Sequence, residues 1–467
     1  MAKIRKAWFC TACGNESPKW MGKCPACGEW NSMVEEIVNK SPDNSSLTSR
    51  AQSFLQNAGN TKPQPLPQIE SGQESRIILG GGMDNLSGRG NELDRVLGGG
   101  MVKGSLVLIG GEPGIGKSTL SLQIPLMNNS LRTLYVSGEE SAKQIKMRAE
   151  RLGGVHENCL VLSETLLENI LNEARNTQPQ LLIIDSIQTI YSQNIESSAG
   201  SVSQVRECAA SLLRYAKETG TPVILIGHIT KDGTIAGPKV LEHIVDVVLQ
   251  FEGDTRHAYR ILRSIKNRFG STAELAVYQM CSDGLKEVLN PSEMFIPMHG
   301  ENLSGIAVSA MLDGSRPFLI EVQALVSTAA YGTPQRSATG FDVRRMNMLL
   351  AVLEKRVGFK LSQKDVFLNM AGGLKVADPA CDMAIVAAIL SSNFDENIPA
   401  GYAFAGEIGL SGEIRPVSQI EKRIAEAAKL GMEKIFVSAF NKPQGKAHKG
   451  LQVVQVATVA ELVKHIF

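Results

Sequence analysis

No run of apolar residues in this chain approaches the roughly 18 needed to cross a bilayer, so no membrane span is expected. Charge of one sign is missing too: 48 Lys and Arg stand against 47 Asp and Glu, a formal net charge of +1. Any nucleic-acid surface must then be a local patch, not a property of the whole chain. The N-terminal Met1–Lys6 is basic but leads into Trp8, Phe9 and Cys10, where a signal peptide would carry its apolar stretch. The expected location is cytoplasmic, and the eight cysteines are not expected to form a disulfide framework. No internal repeat is visible.

The 467 residues exceed one ordinary core, so two or three domains are expected. Hydrophobic residues at 43% and charged residues at 20% suit a soluble globular protein. Residues 1–40 are rich in Cys and Trp. Residues 41–75 are Ser, Asn, Gln and Pro, too poor in apolar groups to bury a core, and read as a linker. Over 76–289, β-rich runs alternate with helical patterns: Ser105–Gly110, Thr133–Ser137, Leu181–Asp185 and Pro222–Gly227. Apolar strands separated by helices predict a parallel sheet covered on both faces. The close-spaced runs Val247–Glu252 and Tyr259–Ile265 predict an antiparallel extension at its edge. Residues 290–467 read as a second α/β domain. There Met346, Leu349, Leu350, Leu353 and Val357 recur at helical spacing, as do Val417, Ile420, Ile424 and Ala427.

Two pairs of thiols stand close together, Cys10 with Cys13 and Cys24 with Cys27. Each pair is followed by a glycine, Gly14 or Gly28, which permits the tight turn that aims two sulfurs at one metal. This is a four-Cys zinc module. The remaining cysteines are scattered singles, expected to be buried. All three tryptophans, Trp8, Trp20 and Trp30, lie in the module. They are expected to pack beside the metal and supply its small core. The alternative is that one stacks on a nucleobase or on the α/β domain that follows.

The run Gly111-Glu112-Pro113-Gly114-Ile115-Gly116-Lys117-Ser118 is a complete phosphate-binding loop between a strand and a helix. Its amides and the helix N-terminus offer positive dipole ends to the phosphates of ATP. Lys117 should reach the β- and γ-phosphates. Ser118 should hold Mg²⁺, with Thr119 just beyond it. The helix Thr119–Asn128 is expected to be interrupted at Pro125. Leu181–Asp185 is the matching apolar strand with its acid at the carboxyl end, so Asp185 is expected to act on Mg²⁺. Ser186 follows it, so the water-activating carboxylate must come from elsewhere. Glu139 and Glu140, after the strand Thr133–Ser137, are the candidates; Glu139 is preferred. They could instead only complement the dipole of a helix at Ser141–Leu152. His228 is either a γ-phosphate sensor or a satisfied structural histidine.

A carboxylate on a strand next to the P-loop strand, and not after Asp185, resembles the RecA-like ATPases. A four-Cys module, the P-loop, Lys266-Asn267-Arg268-Phe269-Gly270 and a Lon-like tail together are similar to the bacterial RadA (Sms) DNA-repair proteins over essentially the whole chain. Gly138–Glu140, Gly227–Lys231 and Ala236–Lys239 also fit. The resemblance implies a DNA-dependent ATPase of recombinational repair, a hexameric ring translocase or helicase. It would promote branch migration of recombination intermediates on single-stranded and branched DNA, alongside RecA recombinase. Lys266 and Arg268 would serve a neighbour's γ-phosphate in the ring, or DNA phosphate. The loops Gln188–Val202 and Lys231–Val240 would face the ring channel, the second bringing Lys231 and Lys239.

Residues 290–467 resemble the proteolytic domain of Lon, which needs a Ser nucleophile and a Lys base. Ala380 stands at the Ser and Glu421 at the Lys. No peptidase activity is expected, and Cys381 is one position out of register. Arg344, Arg345, Lys355 and Arg356 are candidates for a duplex-facing surface or for ordinary solubilising charge. The competing readings are an ATP-switched DNA scaffold without unwinding, and a Lon-type ATP-dependent protease.

Overall fold

A computed structural model describes residues 4–10, 15–26, 28–39, 76–80, 91–228, 240–253, 259–296, 303–329, 332–442 and 448–467. The chain divides into two units, 1–288 and 289–467. In the first, β1 (Ile4–Cys10), β2 (Glu16–Ser17) and β3 (Met33–Asn39) form an antiparallel sheet in the order β2-β1-β3. β4 (Arg76–Ile77) pairs with β5 (Met101–Val102), and α1 (Glu92–Val96) lies between them in sequence.

A nine-stranded sheet forms the core of this unit. Its strands are β6 (Leu106–Gly111), β7 (Thr133–Ser137), β8 (Cys159–Ser163), β9 (Leu181–Asp185), β10 (Val223–His228), β11 (Val247–Glu252), β12 (Tyr259–Asn267), β13 (Leu275–Cys281) and β14 (Gly284–Glu287). Their order is β14-β13-β12-β11-β6-β10-β9-β7-β8. The six from β11 to β8 run parallel, and β12, β13 and β14 extend the sheet antiparallel. The helices are α2 (Lys117–Met127), α3 (Ala142–Arg151), α4 (Leu167–Thr177), α5 (Val202–Thr219) and α6 (Val240–Ile244).

Successive residues of a strand face opposite sides, so an all-apolar strand needs cover on both. Val107, Ile109, Ile183, Ile224 and Ile226 enter one core cluster. Their neighbours Leu106, Leu108, Leu182, Ile184 and Leu225 enter the other.

Two expectations are corrected here. The strand preceding Glu139 is not next to the P-loop strand: β10 and β9 stand between β6 and β7. Glu139 therefore reaches the site beside Asp185, across β9. Pro125 does not interrupt its helix, which runs to Met127. Proline there falls in the last turn, where one missing N–H removes a single bond near the end of the ladder.

The second unit holds a seven-stranded mixed sheet and its own core. Its strands are β15 (Ile306–Asp313), β16 (Arg316–Thr328), β17 (Arg336–Thr339), β18 (Lys364–Met370), β19 (Tyr402–Ala405), β22 (Lys434–Ser438) and β23 (Gln452–Val456), with a separate hairpin β20 (Glu407–Ile408) and β21 (Ile414–Arg415). The helices are α7 (Ser292–Phe295), α8 (Val343–Val352), α9 (Asp382–Phe394), α10 (Ile420–Lys429) and α11 (Val459–Ile466). The helical stripe beginning at Met346 starts in α8 and finishes as a π-helical turn, Leu353–Val357, closed by Gly358 at φ 89°.

Candidate functional site

Strand β6 ends at Gly111, the loop Glu112–Gly116 follows, and α2 begins at Lys117. Gly114 and Gly116 have φ of +77° and +120°, conformations that glycine adopts without strain. A Cβ on Gly116 would also lie 2.9 Å from Met280 Cε. No side chain caps α2, so its first N–H groups are not claimed by a cap. These features fit a phosphate. Lys117 is buried, and its ammonium donates to the carbonyls of Gly111 and Glu112, both at 2.8 Å. Burial pushes its pKa down from 10.5 to about 8, while Asp185, Glu139 and Glu112 pull the other way. Ser118 and Thr119 are half-buried at the helix start.

Two carboxylates meet this loop at the carboxyl ends of the parallel strands. Asp185 ends β9, and its Oδ2 accepts from the Tyr135 hydroxyl at 2.6 Å. Tyr135 is buried in β7, directly before the turn that carries Glu139. The Asp185–Ser186 peptide bond is cis. Glu139 Oε1 accepts from Ser186 Oγ at 2.8 Å, and His228 Nε2 lies 3.6 Å from the same oxygen. His228 Nδ1 is buried with no partner among the described residues. Glu140 points elsewhere, paired with Arg148 of α3. Helix α3 takes its N-terminal stabilisation from a Ser141–Gln144 capping box. The two adjacent glutamates thus have different surroundings. Ser118 and Asp185 supply the hydroxyl and carboxylate oxygens that suit a hard divalent cation.

Comparison with known proteins decides the family. Curated relatives described as "DNA repair protein RadA" are 49% identical over 467 residues in Bacillus subtilis, covering 99% of both chains. Those of Halalkalibacterium halodurans and Listeria monocytogenes are each 47% identical over 468 residues, again covering 99% of both chains. The chain belongs to the RadA family of DNA repair proteins. Residues 82–234 match an AAA domain, 8–35 a rubredoxin metal binding domain, and 325–441 the ChlI subunit of Mg-chelatase. The solved RadB recombinase is similar over 42% of this chain and 96% of its own, at 22% identity and a TM-score of 0.34. The family models, with the sheets described above, give an N-terminal zinc ribbon, a P-loop ATPase core and a C-terminal ChlI/Lon-like α/β domain.

The motif Lys266–Gly270 does not meet the P-loop of its own chain. β12 runs antiparallel, so Asn267 pairs with Val247 at the amino ends of the parallel strands. The motif is built into that end. Asn267 Nδ2 donates to Leu97 O at 3.2 Å, and its Oδ1 accepts from Phe269 N at 2.9 Å. Gly270 packs against Gly98. Lys266 donates to the carbonyls of Val245, at 2.8 Å, and Glu242. Burial, then Arg268, lowers its pKa. Arg268 lies 3.3 Å from the buried Asp246, which also accepts from Lys217 at 2.9 Å. Lys231 and Lys239 lie outside the described residues, as does their loop.

In the ribbon, Cys10 and Cys24 are buried in one cluster with Met33, and Trp8 packs on it. The two turns close alike: Cys10 N donates to Asn15 O at 3.0 Å and Cys24 N to Glu29 O at 2.9 Å. Two buried sulfurs, each on a residue whose N–H bonds the carbonyl five residues on, fit a zinc ion. Cys13 and Cys27 lie outside the described residues. The expectation that every tryptophan packs inside is corrected, because Trp20 and Trp30 are 52% and 68% exposed. The Lys23 ammonium sits 5.5 Å over the Trp30 ring.

In the Lon-like domain Ala380 and Cys381 are fully buried. Burial pushes the Cys381 thiol up to about 12, so the neutral, unreactive form prevails. Glu421 is exposed on α10, while Arg423, two residues on, is buried and bonded to Asp378 at 2.6 Å. Arg345 is not a free surface cation: it pairs with the buried Asp382 and lies 3.6 Å from Glu407. Among the described residues, no helix is long and apolar enough to cross a membrane.

Proposed function

We propose that the chain is an ATP-driven ring motor on DNA, hydrolysing ATP at the Gly111–Thr119 site while it moves recombination intermediates by branch migration. The reading that goes with this assigns 1–40 to the zinc module, 41–75 to a linker, 76–289 to the motor and 290–467 to an inactive Lon-like domain. It puts the protein in the cytoplasm, as a homohexamer acting with RecA on single-stranded and branched DNA.

The observation that carries the proposal is the convergence of Lys117, Asp185 and Glu139 at one end of the sheet. In this reading Lys117 leaves its two loop carbonyls for the β- and γ-phosphates. Ser118 and Asp185 would hold Mg²⁺, whose charge would offset that of the phosphates. Glu139 orients and deprotonates the attacking water, with Ser186 fixing its carboxylate and His228 beside it. Lys266 and Arg268 stand at the far end of β12, about 20 Å from the P-loop end at ~3.3 Å per residue. That distance suits service to a neighbouring subunit's nucleotide, a role in which such cations lower the barrier strongly. Lys117, Glu139, Asp185, Lys266 and Arg268 are the proposed catalytic set.

The test is strand displacement on forked DNA beside ATP turnover with and without single-stranded DNA. The parent should do both and Lys117→Ala neither. DNA-stimulated turnover with no strand ever displaced would leave an ATP-switched scaffold instead. ATP-dependent casein cleavage would restore the protease reading.

A further inference from the structure

The nucleotide loop has a support that its own motif does not contain. Arg260 lies on β12, two strands from β6 in the sheet, and is only 5% exposed. Its Nε donates to the carbonyl of Ile115 at 3.2 Å, and its Nη1 donates to Tyr259 O at 2.8 Å. Ile115 is the buried residue between Gly114 and Gly116. We propose that Arg260 is a positioning residue for the phosphate cradle, setting the direction of the loop's central peptide.

The carbonyl and N–H of a trans peptide point in opposite directions. Holding the Ile115 carbonyl toward β12 therefore turns the Gly116 N–H away from it. That N–H is one of the loop amides a phosphate accepts from. Gly114 and Gly116, with φ of +77° and +120°, lack side chains to restrict their backbone. Without a clamp the Ile115–Gly116 peptide has room to flip, and a flipped peptide presents an oxygen to the phosphate. A charged donor gives a stronger bond than a neutral one, and an arginine fork can hold two acceptors at once. Arg260 meets this need from a paired strand, because β13 pairs with β12 over Tyr259–Arg263 and sets Tyr278 opposite Arg260. Burial strengthens the bond and excludes competing water.

This inference rests on the reading that Gly111–Thr119 holds nucleotide, and the experiment separates the two. Binding of a fluorescent ADP analogue is measured for the parent, Arg260→Gln and Arg260→Lys, with thermal unfolding of each nucleotide-free chain alongside. For a folded Arg260→Gln, affinity should fall ~10-fold or more, the scale of losing a charged hydrogen bond. Arg260→Lys, which keeps the charge without the fork, should recover part of it. No binding by the parent defeats the nucleotide reading. A folded Arg260→Gln that binds within ~2-fold of the parent, well below a charged bond's worth, overturns the role of Arg260 alone. If neither variant folds, Arg260 belongs to the scaffold and not to the cradle, and the assignment again fails.

Discussion

At the scale of single residues, Lys117 couples the site to pH. Its ammonium is buried and its pKa is depressed from 10.5 to about 8. Between those values the unfolded chain keeps the proton and the folded chain loses it, so the free chain gains stability as pH rises through this window. Nucleotide binding has the opposite sign. Phosphate favours the charged amine, so binding takes up a proton above pH ~8 and affinity falls there by at most ~10-fold per pH unit. Titrating the fluorescent analogue from pH 7 to 9.5 should show this break, and Lys117→Met should remove it. The neighbouring glutamates make a second contrast. Glu139→Gln should reduce turnover by ~100-fold or more, the range for a general base, with nucleotide binding retained. Glu140→Gln, which frees Arg148, should leave turnover near the parent's. Equal losses from both would contradict the assignment. The P-loop was legible because its residues are contiguous. The partners of Asp185 and Glu139 were not, since Tyr135 and Ser186 reach them across strands and no local spacing encodes such a pairing.

Among elements, β12 runs from Arg260, bonded to the P-loop, to Lys266, bonded to the carbonyls of Glu242 and Val245. β13 pairs with Tyr259–Arg263 and β11 with Ile261–Asn267, the second ladder shifting register at Ile265. Nucleotide binding should therefore slow amide exchange along Tyr259–Asn267 as well as in the loop itself, read by hydrogen-exchange mass spectrometry. Slowing confined to residues 111–119 would show that the strand does not transmit the effect. Strands β7, β9 and β11 have the bounds that their apolar runs suggest. The edge strand β8 escaped notice because four apolar residues, Cys159–Leu162, do not distinguish a strand from a helical segment. The order β6-β10-β9-β7 was also hidden, because apolar runs reveal strands but not their neighbours. In the Lon-like domain, the half-buried Asp378 pairs with the buried Arg423, which the sequence pattern could not show. Asp378→Asn should destabilise that domain by roughly 3–5 kcal/mol, because it strands the Arg423 charge. Denaturant unfolding of the full chain, followed by a reporter in residues 289–467, would measure it.

For the whole molecule, the decisive property is whether Lys266 and Arg268 complete a site on another subunit. A ring with head-to-tail interfaces presents one face of each subunit to the opposite face of the next. Within the chain these cations lie at the opposite end of the sheet from Lys117, so a catalytic role requires such an interface. Two inactive proteins then make the test: Glu139→Gln, and the double variant Lys266→Ala with Arg268→Ala. If the cations serve a neighbour's nucleotide, each should have little turnover alone. Mixed one to one, a random ring pairs an intact Glu139 site with intact neighbouring cations at about a quarter of its interfaces, if assembly is head-to-tail. Turnover measured without DNA should recover toward that fraction of the parent's rate. Cations that act only within their own subunit cannot produce recovery, because every subunit in the mixture carries one lesion. Cations that serve DNA alone would leave the double variant with full DNA-independent turnover before any mixing. The three outcomes differ in kind, so one titration of the two variants against each other distinguishes a cooperative ring motor from a set of independent ATPases.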